Sequence, residues 1–216
     1  MKYSFQNERI IIFGATRGLG SAVAAQISDA EVLLISRNAS KKAGSELKLD
    51  IDLSRAVDQD LAIEKAKKFS PTRIFYFVGG GPYGLYAEKN WRDHEWAYQV
   101  NFLFPAKLIH SFMKPKDAGF LQLVVTGSAI AESKTDENAA SYSSAKHALK
   151  ALVENLQPEA KNFDLRLFSP GYMDTGLLPK NSRPRKSNTL LDPAKVATQF
   201  CEWVLDSKAA RHKIIL

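Results

Sequence analysis

The sequence predicts an α/β architecture, a doubly wound parallel sheet of about seven strands with helices on both faces, and three observations carry that prediction. Short apolar runs alternate with longer stretches of helical periodicity along all 216 residues. Several of the runs are apolar on both faces, as strands covered by helices on two sides must be. A glycine-rich loop separates the first run from the first helical stretch, and sheets of this kind take ligands beyond the carboxyl ends of their strands.

Strands are predicted at 9–14, 31–36, 46–51, 73–79, 120–127, 163–169 and 212–216. Helices are predicted at 19–28, 55–69, 91–113, 141–157 and 193–207, with a break at Pro105, whose ring and missing N–H oppose an uninterrupted helix. Ser54 and Asp192 stand where N-caps belong, and Pro193 suits a first helical position. The stretch between Arg37 and Asp52 is short for a full helix. No repeat, low-complexity tract or linker divides the chain, and at ~150 residues per domain it reads as a single domain over 1–216.

Composition excludes several classes. With 45% hydrophobic and 25% charged residues the chain can bury a core, so overall disorder is excluded. One cysteine, Cys201, makes neither an internal disulfide nor a four-thiolate zinc site. His94, His110, His147 and His212 show no zinc-ligand spacing, so no metal is expected. Met1 to Arg9 carries no apolar export signal, and the longest apolar runs fall far short of the ~18 residues of a membrane span. A cytoplasmic protein that does not enter membranes is the expectation. A formal charge of +7 favours anionic partners without choosing among nucleic acid, a membrane surface and a phosphorylated cofactor, and nothing besides that charge points to nucleic acid.

The loop after the first strand reads Gly14, Ala15, Thr16, Arg17, Gly18, Leu19, Gly20 and opens an Ala-rich helix. Glycines permit a tight turn and close approach of a pyrophosphate, while the helix N-terminus offers unpaired N–H groups and the positive end of its dipole. The spacing is not that of the phosphate loop of nucleoside triphosphatases, which disfavours ATP hydrolysis. The second strand ends at Ser36 and Arg37 with no carboxylate to accept from a ribose 2′-hydroxyl. Arg37 and Arg17 suit a 2′-phosphate instead, so NADP(H) is expected over NAD(H).

Tyr142 and Lys146 are four apart on a predicted helix and share a face. The pair alone is weak evidence, but Ser128 stands at the end of a buried-looking strand, Asn101 lies on a helix upstream, and a later strand runs into Pro170, Gly171 and Thr175. Gly127, Ser128, Ala129, Ile130 does not complete GxSxG, which excludes the corresponding hydrolase reading.

Taken in order, Gly14, Gly18 and Gly20, then Asp52 and Leu53, Asn101, Ser128, Tyr142 to Lys146, and Pro170, Gly171 and Thr175 resemble the short-chain dehydrogenase/reductase family over essentially the whole length, as a compact member. The resemblance implies a Rossmann-type NAD(P)-binding domain and hydride transfer between the cofactor and a small carbonyl or alcohol substrate. It implies Tyr142 as general acid or base, with Lys146 favouring the tyrosinate and bonding the nicotinamide ribose. Ser128 would hold the substrate oxygen, and Asn101 would order a water linking Lys146 to solvent. Gly14, Thr16, Arg17, Gly18, Leu19, Gly20 and Arg37 would surround the phosphates and the adenosine ribose. Asp52 and Leu53 would border the adenine, and Pro170, Gly171 and Thr175 the nicotinamide. It further implies a homodimer or homotetramer, in which the helices of Asn101 and Tyr142 are the surfaces that would pair.

The chain departs from the family at Val78, Gly79, Gly80 and Gly81, where Asn, Asn, Ala, Gly is usual. Glycines there still let a cofactor lie close. The missing amides keep open an alternative function, a non-catalytic NADP(H)-binding redox sensor or scaffold. Residues 176–191 fall at the family's substrate lid and carry Arg183, Pro184, Arg185 and Lys186, which would admit an acidic substrate unless they are only solvated surface. Tyr83, Tyr86 and Tyr172 are candidates for the pocket wall.

Overall fold

In a computed structural model, which describes residues 2–113, 119–133, 136–180, 182–187 and 189–216, seven parallel strands form one sheet in the order β3-β2-β1-β4-β5-β6-β7. They are β1 (Tyr3–Phe13), β2 (Ile27–Ser36), β3 (Leu47–Asp50), β4 (Arg73–Tyr76), β5 (Gln122–Thr126), β6 (Asp164–Pro170) and β7 (His212–Ile215). This is the doubly wound arrangement the alternating pattern predicts. The order reverses between β1 and β4, whose crossovers leave on opposite faces and open a crevice at the carboxyl ends.

Alternation along the strands supplies two cores. Ile11, Phe13, Ile74, Tyr76, Leu123 and Val125 pack one face against α2 (Ala56–Phe69), α4 (Phe104–Phe112) and α5 (Ala140–Leu156). Ile10, Ile12, Phe75, Val124 and Phe168 pack the other against α1 (Gly18–Gln26) and α7 (Pro193–Leu205). The central parts of the strands, such as Ile10–Phe13 and Leu123–Val125, are apolar whichever way they point because both directions are interior.

Several boundaries differ from the sequence reading for identifiable reasons. β1 starts at Tyr3 rather than residue 9, because Tyr3 and Ser4 pair with Ile27 and Ser28 across a register shift that spares the polar residues before Glu8. That pairing also converts the end of the expected first helix into strand. Ser54 is not a cap: its hydroxyl donates to Asp52 Oδ1 at 2.8 Å, and α2 begins beyond Arg55 with no side-chain cap. Asp192 does cap α7, accepting from the Ala194 N–H at 2.8 Å, with Pro193 opening the helix.

The expected break at Pro105 is made differently. After α3 (Trp91–Tyr98) the chain widens into a π-helical turn over Gln99–Leu103 and continues as α4, with Pro105 in its first turn where no N–H is needed. The Val100 carbonyl in the wide turn accepts from the Tyr76 hydroxyl at 2.7 Å, tying it to β4. Between β2 and β3 there is only a single 3₁₀ turn over Ala39–Lys41, as the short segment requires. No helix among the described residues is long and apolar enough to cross a membrane.

Gly20 sets how closely α1 seats on the sheet. A Cβ there would press on the Gly14 carbonyl oxygen and lie 3.0 Å from the Gly14 carbonyl carbon, backbone that cannot rotate away. Gly20→Ala is therefore expected to cost about 1–3 kcal/mol, whereas Gly176→Ala, with nothing within 4 Å of the added Cβ, should stay within about 0.5 kcal/mol. Paired denaturant melts of the two variants check the difference.

Candidate active site

The crevice at the β1/β4 reversal is a cavity of about 700 Å³, and most residues singled out in the sequence line it. At one end, Gly14 (φ +83°) and Gly18 (φ +55°) take left-handed conformations that turn the chain from β1 into α1. A Cβ on Gly14 would meet the Val78 backbone nitrogen at 2.9 Å, so the loop lies directly against the strand next to it. Arg17 precedes α1 without capping it through its side chain, leaving the first-turn N–H groups directed at the cavity end. Thr16, Leu19, Arg37, Asp52 and Leu53 also line the cavity, whereas Gly20 serves packing and does not reach it.

The sequence reading missed further residues at this end. Lys41 lines the cavity, and the Lys42 ammonium donates to the Ala15 carbonyl at 3.2 Å and the Ser21 hydroxyl at 3.3 Å, joining the β2–β3 connection to the glycine loop. Burial lowers the Lys42 pKa, and nearby Glu46 raises it in part. Arg17, Arg37, Lys41 and Lys42 thus gather four cationic side chains around one end. The basic pair four residues after Arg37 was the signal available for the lysines. The Ser36 hydroxyl, buried at the cavity wall, has no partner.

At the other end, Ser128 follows β5 in extended conformation, and its Oγ accepts from the Ile130 N–H at 3.4 Å, opening a 3₁₀ turn. Tyr142 and Lys146 project from one face of α5. Burial raises the Tyr142 pKa, and a hydrogen bond with Ser128 pulls it back down. The Lys146 ammonium lies 5.6 Å from the centre of the Tyr142 ring and donates to the Thr126 carbonyl at 2.6 Å. Burial lowers the Lys146 pKa to about 7.

Gly79 and Gly81 make room for this pair. A Cβ on Gly79 would lie 2.9 Å from Asn101 Oδ1 and 3.6 Å from Lys146 Nζ, and one on Gly81 would lie 3.2 Å from the Tyr142 Cβ. Asn101 lies outside the cavity wall. It is fully buried in the π turn, donating at 2.6 Å to the carbonyls of Gly80 and Ala97 and accepting from the Gly80 N–H at 3.2 Å. Its side chain therefore holds the glycine segment. Pro170, Gly171 and Thr175 bring the segment after β6 back over the first loop, with the Thr175 methyl 3.3 Å from where a Gly18 Cβ would stand.

Among the described side chains, the basic segment after residue 176 does not put cations into the cavity. Arg185 donates to Asp174, the Thr175 carbonyl and the Leu178 carbonyl at 2.7, 2.6 and 3.2 Å, so it braces its own loop. Lys186 is exposed and away from the cavity wall. Residues 181 and 188 and the side chain of Arg183 lie outside the described residues. Tyr83 and Tyr172 line the cavity as expected; Tyr86 does not, stacking on His94 instead at 4.2 Å between ring centres.

A sequence model of the family described as short chain dehydrogenase matches residues 8–186. The chain belongs to this family. A comparison with curated protein sequences finds no match. Among solved structures, an alcohol dehydrogenase from the archaeon Thermococcus sibiricus, complexed with 5-hydroxy-NADP, is 20% identical with a TM-score of 0.80, covering 97% of this chain and 96% of its own. A short chain dehydrogenase from Burkholderia cenocepacia in complex with NADP is 19% identical at a TM-score of 0.80, with the same coverage. A short chain dehydrogenase/reductase from Burkholderia phymatum in complex with NAD is 20% identical at 0.75, covering 97% of this chain and 90% of its own. At these identities the likeness establishes the fold, and the fold is the seven-stranded parallel sheet of this oxidoreductase family.

One buried carboxylate braces the tyrosine end from behind. Glu132, in the turn that Ser128 opens, pairs with Lys150 one turn beyond Lys146, accepts from the Ser169 hydroxyl at 2.9 Å and meets His212 Nε2 at 2.9 Å. Burial raises its pKa, but these partners outweigh burial and leave it below the ordinary carboxylate value. Nothing in the local sequence around Glu132 announces it, because its partners come from α5, β6 and β7.

Lys146 has no carboxylate beside it to offset its burial. An unfolded lysine protonates near 10.4 and the folded one at about 7, so the cost of charging it is full below about pH 7 and shrinks as pH rises above that. Lys146→Met should raise the melting temperature by about 3 °C or more at pH 6, and by less at pH 9, as read by calorimetry at the two pH values.

Proposed function

We propose that this family member is an NADP(H)-linked oxidoreductase that reduces a carbonyl to an alcohol through Ser128, Tyr142 and Lys146, with Asn101 as the residue that positions their surroundings. The observation that carries the reading is the convergence of the three side chains at one end of a cavity whose other end is cationic and glycine-lined. The residues present fit the cofactor. Gly14 and Gly18 leave a cradle that side chains would fill, and the unpartnered Ser36 hydroxyl stands ready for a ribose or its phosphate. Arg17, Arg37 and Lys41 supply charge where a carboxylate would be needed to favour a free 2′-hydroxyl. The nicotinamide complexes of the similar structures are in keeping with this assignment.

When bound, NADPH supplies the hydride. The chain's residues supply the rest. The Ser128 hydroxyl donates to the substrate oxygen, which gains negative charge as the carbon is reduced. Tyr142, held protonated by burial, gives its proton to that oxygen. A protonated Lys146 near the phenol stabilises the tyrosinate left behind, and its charge is present below about pH 7 and lost above it. Carbonyl reduction by this set is therefore expected to be fastest on the acid side of neutrality and to fall as pH rises through the lysine's range.

Tyr142→Phe should lower kcat about 100-fold or more while NADPH still quenches the protein's fluorescence with the wild-type dissociation constant. An undiminished rate would sink the mechanism. Binding of NADPH by the wild type with no turnover across aldehydes, ketones and quinones would instead favour the sensor or scaffold. Arg37→Ala should weaken NADPH about tenfold and leave NADH unchanged in the same titration.

A further inference from the structure

The cavity is electrically one-sided. Of its charged lining residues, Arg17, Arg37, Lys41, Lys42 and Asp52 belong to the glycine loop and the carboxyl ends of β2 and β3, and Lys146 sits at the base of the tyrosine end. The wall beyond Tyr142 is made by Tyr83, Trp96, Tyr172, Leu177, Leu178 and Pro179, none of them charged. Trp96 and Leu177 close on Gly80, where a Cβ would lie 2.7 Å from the indole and 3.0 Å from the leucine methyl.

Behind this wall stands Asp136. Its Oδ2 accepts from the Tyr83 hydroxyl at 3.3 Å and the Tyr172 hydroxyl at 3.1 Å, drawing together the loops after β4, β5 and β6. The Tyr172 phenolic proton is turned toward the carboxylate, so what this phenol offers a ligand is oxygen lone pairs. Resting on the reductase reading above, we infer that this end takes a neutral carbonyl compound with an aromatic or alicyclic body and rejects one bearing a carboxylate. Asp136 is the specificity-determining residue.

Three physical terms act together. A ligand carboxylate held against this wall gives up water on that side, and no cation among the described lining residues of the wall replaces it, which is costly. Lys146 stands at the base of the site, on the Thr126 carbonyl and 5.6 Å from the centre of the Tyr142 ring, and Arg185 is committed to its own loop, so neither ammonium nor guanidinium stands at this wall. The Tyr172 lone pairs and the Asp136 charge behind them repel an anion held a few ångströms away, where solvent screens only part of the repulsion. An aromatic body, by contrast, meets an indole, two phenols and aliphatic side chains. The basic segment after residue 176 points the opposite way in sequence, but of its described side chains Arg185 is spent on Asp174 and Lys186 is exposed away from the cavity wall.

The test uses two ketones of nearly equal size, 4-acetylbenzamide and 4-acetylbenzoate. Their affinities for the NADP⁺-loaded protein are measured by calorimetry, and NADPH oxidation is followed separately with each. The amide should bind at least about tenfold tighter than the benzoate, and Asp136→Asn, which keeps a hydrogen-bond acceptor but removes the charge, should bring the two within about threefold. Tyr172→Phe keeps the charge and removes one donor to it, so the gap should widen. The inference is overturned if the benzoate binds as tightly as the amide, if neither binds, or if Tyr172→Phe closes the gap as Asp136→Asn does. It is equally overturned if Asp136→Asn leaves the gap untouched. A preserved affinity gap with no NADPH oxidation on either ketone would instead sink the reductase reading and leave this one standing. Equal turnover of both would do the reverse.

Discussion

The side-chain amide of Asn101 reads the Gly80 peptide twice, accepting its N–H at 3.2 Å and donating to its carbonyl at 2.6 Å. Both groups are buried, so neither water nor an alternative loop conformation competes cheaply for them. The clamp exists because the helix carrying Asn101 widens into a π turn just there, and the wide turn is itself pinned by Tyr76 from β4. A strand, the loop that leaves it and the helix that follows are thereby locked at one point. Lys146 packs by Gly79 and Tyr142 by Gly81, on either side of the clamped Gly80, so the clamp also fixes the floor on which the two side chains stand. The departure from the family's usual amides is compensated within this contact: the loop presents only backbone, and Asn101 grips backbone.

How much of this was legible in the sequence follows from the range of each signal. The sheet, its parallel strands and the glycine turn were readable because each depends on a local pattern: apolar runs on both faces, or glycines between a strand and a helix. Ser128, Tyr142 and Lys146 were readable because two lie one helical turn apart and the third ends a strand. Ser54 was misread as a cap because its real partner, Asp52, competes for the hydroxyl at closer range than the helix does. Pro105 announced a disturbance in its helix, but the sequence did not show that the disturbance would be a wide turn placed upstream of it. Glu132 was invisible for a different reason. Its partners lie 18, 37 and 80 positions away, on three different elements, and no periodicity connects them.

Charge is distributed through the site by the same logic of burial and pairing. At the glycine-loop end, cations are gathered with little to neutralise them, which suits an anion arriving from solvent. At the tyrosine end, among the described residues, the lining is uncharged apart from Lys146. The formal charge of +7 seen in the composition is therefore not spread evenly over the function it serves. The arginines that seemed to form a basic substrate lid turn out to include one that ties its own loop together, which is what a side chain with five donors does when three acceptors lie within reach.

Two lysines one turn apart on α5 show why the protein keeps a costly group. Lys150 is paired with Glu132 and holds elements together; Lys146, just as firmly placed, is left with a single carbonyl and an aromatic ring. Burial without a counter-ion is what moves the Lys146 pKa to about 7, and a carboxylate at that position would undo the shift. A fully paired lysine would stabilise the fold more but would stay charged, and spent, throughout the working pH range. The structure separates the two tasks by a single helical turn. Glu132 gives its charge to Lys150, Ser169 and His212, and on one side of Lys146 stands Gly79, which brings no charge at all. Gly79 at its side and the absent carboxylate together leave the ammonium beside Tyr142 held in place and titrating near neutrality, which is what the proposed chemistry asks of it.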